Sequence, residues 1–181
     1  ENIDYDAVLS KETYDGYNYR ILVRKGNLNS QYFEEGQEDI VDDAIYRRNK
    51  TVEEKYGITI SASESSHSNY DTDALNSILA GDDAYSLCIS CINGGALEKI
   101  AVEGVLANLS DNPYISLEAE WWSRLIYENL NLDGRMFFTM GDISSTMYQT
   151  ASCMYLNTAL AEDYGVSVDE ICALVRNGKW T

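Results

Sequence analysis

Basic residues are scarce in this chain. Thirteen Lys and Arg stand against 30 Asp and Glu, a formal net charge of −17 over 181 residues. A nucleic-acid binder needs a basic face to neutralise phosphates, so the balance argues against that class. A surface this acidic also repels anionic membranes. Long apolar runs are missing too, and none approaches the ~18 residues of a membrane span. Histidine occurs once, at His67, which excludes a metalloprotease built on a His pair. There is no G-x-G-x-x-G, no P-loop, no G-x-S-x-G and no Ser-x-x-Lys. No signal peptide is present, so the protein is either intracellular or has lost its leader. The start at Glu1 rather than Met favours a processed or trimmed N-terminus.

What the chain does hold is 45% hydrophobic residues, enough for a globular core. Tyr outnumbers Phe by 14 to 3. A tyrosine gives apolar area with a polar tip and suits half-exposed surfaces and polar ligand sites. Four cysteines stand at Cys88, Cys91, Cys153 and Cys172. The Cys88-x-x-Cys91 spacing matches a redox pair. Its first member falls inside an apolar run, however, and no Pro or Trp flanks it, so packing cysteines explain it better. Four adjacent acidic pairs occur, at Glu34-Glu35, Asp42-Asp43, Glu53-Glu54 and Asp82-Asp83. A glycosidase needs two carboxyls facing across a cleft, which neighbours on a turn or helix do not do. Asn69-x-Asp71-x-Asp73 opens like an EF-hand loop but has Ala74 and Ala80 where that loop needs Gly and Glu. Helix capping by Asp71 accounts for it. The sequons at Asn49 and Asn108 read as chance, and His67 reads as a solvated loop residue.

The chain is organised around residues 81–109. An apolar run over 84–89 predicts a strand, 90–95 a polar, glycine-containing break, and the following residues a helix with Leu97, Ile100 and Ala101 on one face. Upstream, residues 1–18 read as an acidic tether and 19–24 as the first strand, with Ile21 and Val23 on one face and Leu22 on the other. Residues 25–37 form a long polar loop. Residues 39–56 form the clearest helix, with Val41, Ile45, Val52 and Tyr56 on one stripe and Gly57 at its end. A strand over 58–61 and a helix over 71–80, with Leu75, Ile78 and Leu79 inward, complete a β-α-β-α-β-α order. That order predicts an α/β fold with an open, mainly parallel sheet flanked by helices. Beyond residue 109 the pattern predicts a helix over 118–130, strands over 136–140 and 152–156, and helices over 157–164 and 168–176. Ligands of open α/β sheets bind outside the carboxyl ends of the strands, which points to residues 90–95.

Taken in order, several pieces carry a family likeness. They are the run from Tyr17 to Arg24, the run from Asp42 to Asn49, and Val52-Glu-Glu-Lys-Tyr-Gly57. Next come Leu79-Ala-Gly-Asp82 with Tyr85-Ser-Leu87, then Gly104-Val-Leu-Ala-Asn-Leu109. Trp121-Trp122 and Asn177-Gly-Lys-Trp-Thr181 close the set. The ordered set resembles the extracellular solute-binding proteins of bacterial ABC importers, with the type II periplasmic-binding-protein fold, in a Gram-positive branch. Cys88, Cys91 and Ser86 depart from the usual residues around the third strand, so ligand contacts there differ. The resemblance implies a tether over 1–18, lobe one over 19–145, and over 146–181 a crossover and the start of a lobe two whose remainder lies past Thr181. It also implies export, a lipid anchor upstream of Glu1, an importer permease as partner and no enzymatic activity. Neither a cofactor nor a metal is expected. The positions it implies for the site are Lys25 and Asn27 after strand one, Ser90, Asn93 and Gly94 after strand three, and Asp142, Ser144 and Tyr148 in the crossover. Polar groups with one or two aromatics suit a carbohydrate. Trp121 or Trp122 could supply a stacking face, although core packing is the commoner role for such residues. The alternatives are an α/β glycosidase or transferase with its catalytic part beyond residue 181, and an adhesin that reuses the fold.

Overall fold

A computed structural model describes residues 9–66, 69–90, 96–150 and 152–180. The chain forms two compact units, Glu1–Gln149 and Thr150–Thr181.

The first unit is built on a three-stranded parallel sheet. Its strands are β1 (Tyr17–Arg24), β2 (Ile58–Ser65) and β3 (Leu87–Ile89), in the order β2-β1-β3. β1 and β2 pair in full register from Tyr17↔Ile58 to Arg24↔Ser65, and β3 meets β1 from Ile21↔Leu87 to Val23↔Ile89. The alternation of β1 sorts its side chains as the sequence predicts. Ile21 and Val23 pack with Ile60 and with Val52 of α1 (Ile40–Tyr56). Leu22 faces the other way, onto Tyr70 and Ala74 of α2 (Tyr70–Ala80) and Ile100 of α3 (Ala96–Val102). Helices therefore cover both faces, as a parallel sheet requires. The architecture is α/β, with a small open parallel sheet flanked by helices.

The helix ends follow capping rules. Asp39 accepts hydrogen bonds from the backbone N–H of Val41 and Asp42 at 2.8 and 3.2 Å, which fixes the start of α1. Gly57 ends it in the left-handed conformation. Glu53 then ties α1 to β2 by accepting from the Ile60 N–H at 2.7 Å.

Several expectations are corrected. The end of the expected tether is not loose, because Tyr14 N–H donates to the Tyr56 carbonyl and Gly16 N–H to that of Gly57, and β1 already begins at Tyr17. In α2 the buried residues are Tyr70, Asp71 and Ala74, whereas Ile78 and Leu79 are exposed. Asp71 lies within the first turn of that helix and not at its N-cap, which is Asn69, and its carboxylate receives the Lys99 ammonium of α3 at 2.7 Å. Val41, expected on the buried stripe of α1, is exposed. The predicted helix over 118–130 shortens to α4 (Arg124–Leu130), because Ser123 caps it and the residues before it turn through a Trp122 N–H to Ala119 carbonyl bond. Residues 136–140 form no strand. Met136 is fully buried, but its N–H donates to the Asn108 side chain and its carbonyl accepts from Leu109, at the start of a 3-10 turn (Leu109–Asp111) that offers no ladder. A short helix, α5 (Thr146–Gln149), closes the first unit.

The second unit holds α6 (Thr158–Asp163), capped by Asn157, and α7 (Val168–Arg176), capped by Ser167. The expected strand over 152–156 is not formed. Its described residues are exposed and have no strand beside them, and a strand without a partner is not stable.

Candidate functional site

The sheet order fixes where a crevice opens. The chain leaves β1 for β2 on one side and returns to β3 on the other. The reversal lies between β1 and β3, and in doubly wound sheets the ligand crevice sits outside the carboxyl ends there. The loop after β1 and the residues after β3 are its natural walls.

The loop after β1 is tightly shaped. Lys25 N–H continues the ladder to the Ser65 carbonyl at 2.8 Å. Gly26 follows at φ +89°, a conformation that L side chains rarely adopt, and its N–H donates to the Glu64 carboxylate at 2.9 Å. Asn27 then opens a 3-10 turn (Leu28–Ser30), its carbonyl accepting from the Ser30 N–H and hydroxyl. Ser30 and Gln31 are buried although polar. Lys25 stays exposed at the rim.

On the other side, the Ser90 hydroxyl is buried without a hydrogen-bond partner among the described residues. A buried unpaired hydroxyl is costly unless something else satisfies it. Asn93 and Gly94 lie outside the described residues. Cys88 sits on β3, the edge strand, and the residue is exposed, although neighbouring atoms crowd its thiol. Desolvation by the atoms around it pushes its thiol up, against the thiolate a redox pair needs.

The crossover residues are brought to the loop after β1. Residues 121–123 and 140–142 run antiparallel: Asp142 N–H donates to the Trp121 carbonyl at 2.9 Å and Ser123 N–H to the Met140 carbonyl at 2.7 Å. Gly141 sits so close that a Cβ on it would lie 2.0 Å from the Trp121 carbonyl oxygen. From this brace Asp142 accepts a hydrogen bond from the Tyr148 hydroxyl, and the carboxylate pushes the phenol pKa up. The Ser144 and Ser30 hydroxyls lie 3.4 Å apart. An open depression of about 640 Å³ runs beside them, lined by Asp39, Val41, Asp42, Ser145, Tyr148 and Gln149. The Ser145 hydroxyl is also buried without a partner among the described residues. A second depression, of about 490 Å³ between α2 and α3, contains none of the expected site residues.

The structure thus gathers Asn27, Asp142, Ser144 and Tyr148 where the loop after β1 meets the crossover, as two adjoining walls, leaves Lys25 at their rim, and puts Ser90 at the end of β3. Sequence reasoning missed Ser30, Gln31, Arg48 and Asn49, which join those walls. Arg48 donates to the Gln31 carbonyl and the Ile143 carbonyl, both at 2.9 Å, and to the Asn49 side chain. Asn49 donates to the Gln31 carbonyl at 2.8 Å. Burial lowers the Arg48 pKa. Trp121 and Trp122 stand on a braced turn and not on a helix, both half-buried.

The set offers hydroxyls, a carboxylate, amides and a cation at the rim. It can hydrogen-bond a polyhydroxylated solute. Among the described residues no group of three or more His, Cys, Asp and Glu is arranged to hold a metal ion. No helix of the described residues is long and apolar enough to cross a membrane. No protein-family model, curated protein or solved structure matches the chain.

Proposed function

We propose that the chain is part of an extracytoplasmic solute-binding protein that captures a small solute, most plainly a carbohydrate, and hands it unchanged to an ABC importer. On this reading the type II periplasmic-binding-protein fold is the finer form of the α/β architecture. The first unit belongs to lobe one, and the protein is held at the cell surface by a lipid anchor. One observation carries the reading. The loop after β1, at the reversal of a β2-β1-β3 sheet, is hydrogen-bonded to a crossover segment bearing Asp142, Ser144 and Tyr148. That wall is rich in hydrogen-bond donors and acceptors, as sugar hydroxyls require.

A thermal-shift screen with sugars, oligosaccharides, amino acids and peptides tests this. It is run on the chain with and without the further lobe-two segment that this reading implies. A solute at a hundred times its dissociation constant adds about 2.7 kcal/mol, visible as a raised melting temperature. The expected outcome is stabilisation by one sugar class, with the sugar recovered intact. A cleaved or transferred sugar turns the reading to a glycosidase or transferase, and no shift with any solute turns it to an adhesin.

A further inference from the structure

We infer that Arg48 is the positioning residue of this site, a single cation that clasps its two walls and sets their spacing. The inference rests on the proposed binding reading for its consequence, but the clasp itself can be measured without any ligand.

The geometry is specific. Arg48 lies in the middle of α1. One guanidinium nitrogen, Nη2, donates to the Gln31 carbonyl in the loop after β1. The other, Nη1, donates to the Ile143 carbonyl, 95 positions along the chain in the crossover segment. Nε and Nη2 also donate to the Asn49 amide oxygen, which fixes the plane of the fork. Asn49 in turn donates to the same Gln31 carbonyl. No carboxylate pairs with Arg48 among the described residues. Its partners are peptide carbonyls and an amide, so the group is placed for shape and not for charge neutralisation. The guanidinium is rigid and planar with donors on several edges, and it is suited to hold two carbonyls at a set separation.

Between these walls the Ser144 and Ser30 hydroxyls also meet, at a long 3.4 Å. Ile143 immediately follows Asp142 and precedes Ser144. Loss of the clasp therefore frees the residues that carry the crossover's polar groups. Lysine is not an adequate replacement. It keeps the charge, but its one ammonium on a flexible stem does not span two carbonyls in a fixed plane.

The test is amide hydrogen exchange on the whole chain, comparing wild type with Arg48→Gln and Arg48→Lys. Hydrogen exchange reads local opening segment by segment. In Arg48→Gln, exchange at Gln31 and Tyr32 on one wall and at Asp142 and Gln149 on the other is expected to rise about tenfold or more, while the β1–β2 ladder stays protected. In Arg48→Lys, protection is expected to fall on one wall only. The lysine variant also decides the matter if Arg48→Gln does not fold. Unchanged exchange on both walls in the lysine variant, or at Asp142 and Gln149 in a folded glutamine variant, overturns the clasp.

A binding arm uses maltotriose, xylotriose and cellotriose. If one of them stabilises the wild type, Arg48→Gln is expected to weaken it about tenfold and Arg48→Lys to restore part of that loss. Equal affinity in all three proteins overturns the positioning role. If none stabilises the wild type, the carbohydrate reading fails, and the exchange data still decide the clasp.

Discussion

At the scale of the residue, close approach and ionisation make the sharpest tests. Gly141 has no room for a side chain, since a Cβ would meet the Trp121 carbonyl oxygen at 2.0 Å and the Trp122 Cα at 2.9 Å. Both neighbours are backbone, so neither can swing aside. Gly141→Ala is expected to lower stability by about 2 kcal/mol or more and to loosen the 121–123 brace, measured by urea unfolding. Glu53 supplies a pH test. Burial pushes its carboxyl up, but the Lys50 ammonium at 2.6 Å and the Ile60 N–H outweigh that, and its pKa is lowered from the ordinary 4.5. A carboxylate with a lowered folded pKa adds stability that is present above the unfolded value and lost as pH falls through the folded one. Wild type is therefore expected to lose stability below about pH 4.5 more steeply than Glu53→Gln, in melts taken from pH 6 to pH 3. Parallel curves for the two proteins refute this role.

At the scale of the element, α1 is the part most plainly written in the sequence. Its acidic first turn, its stripe through Ile45 and Val52 and its glycine stop are all local signals, and local signals need no partner to be read. Asp39→Ala removes the side chain that takes the Val41 and Asp42 N–H groups. It is expected to cost about 1 kcal/mol in chemical unfolding and to fray the first turn of α1 by hydrogen exchange. The same helix also shows where legibility stops. Asn49 lies four positions after Ile45 and three before Val52, on the apolar stripe, and is buried. A polar residue on a buried stripe announces a specific partner, but the sequence gives no sign that the partner is the Gln31 carbonyl. β1 was legible for a similar reason, because alternation alone sorts Ile21 and Val23 from Leu22. The stretches over 136–140 and 152–156 carry strand-like composition and form no strand, since pairing depends on which edge the rest of the chain presents. In α2 the period was right and Leu75 packs on the core as expected, but the last turn stands clear of it. Tyr70 and Ala74 took the core that Ile78 and Leu79 were expected to fill. The parallel sheet followed from element order, whereas the Arg48 and Asn49 contacts depended on tertiary folding.

At the scale of the whole molecule, charge and uneven burial decide behaviour. The core of the first unit is two small clusters on either side of β1, one centred on Leu22 and Tyr70, the other on Val23 and Ile60. Among the described residues of the second unit none is buried, and Met154, Tyr155, Leu160, Tyr164, Val175 and Trp180 are exposed. With no buried side chain among its described residues, the second unit is expected to exchange its α6 and α7 amides at least a hundredfold faster than those of Ile21 to Val23. Comparable protection in both places requires a surface that covers the second unit. Charge then acts on the molecule as a whole. Thirty acidic residues against 13 basic ones repel one another more in the compact state than in the expanded one. Added salt shortens the reach of that repulsion, from about 30 Å at 0.01 M to about 8 Å at 0.15 M. The ion pairs in the chain work against this, since salt also weakens them, but several are exposed on helix faces and contribute little each. The repulsion is summed over the whole surface and outweighs them. Raising sodium chloride from 10 to 150 mM is therefore expected to raise the melting temperature by about 4 °C or more, by calorimetry at pH 7. A melting temperature that falls over that range means local ion pairs, Lys99 with Asp71 foremost, hold the first unit together more than its net charge drives it apart.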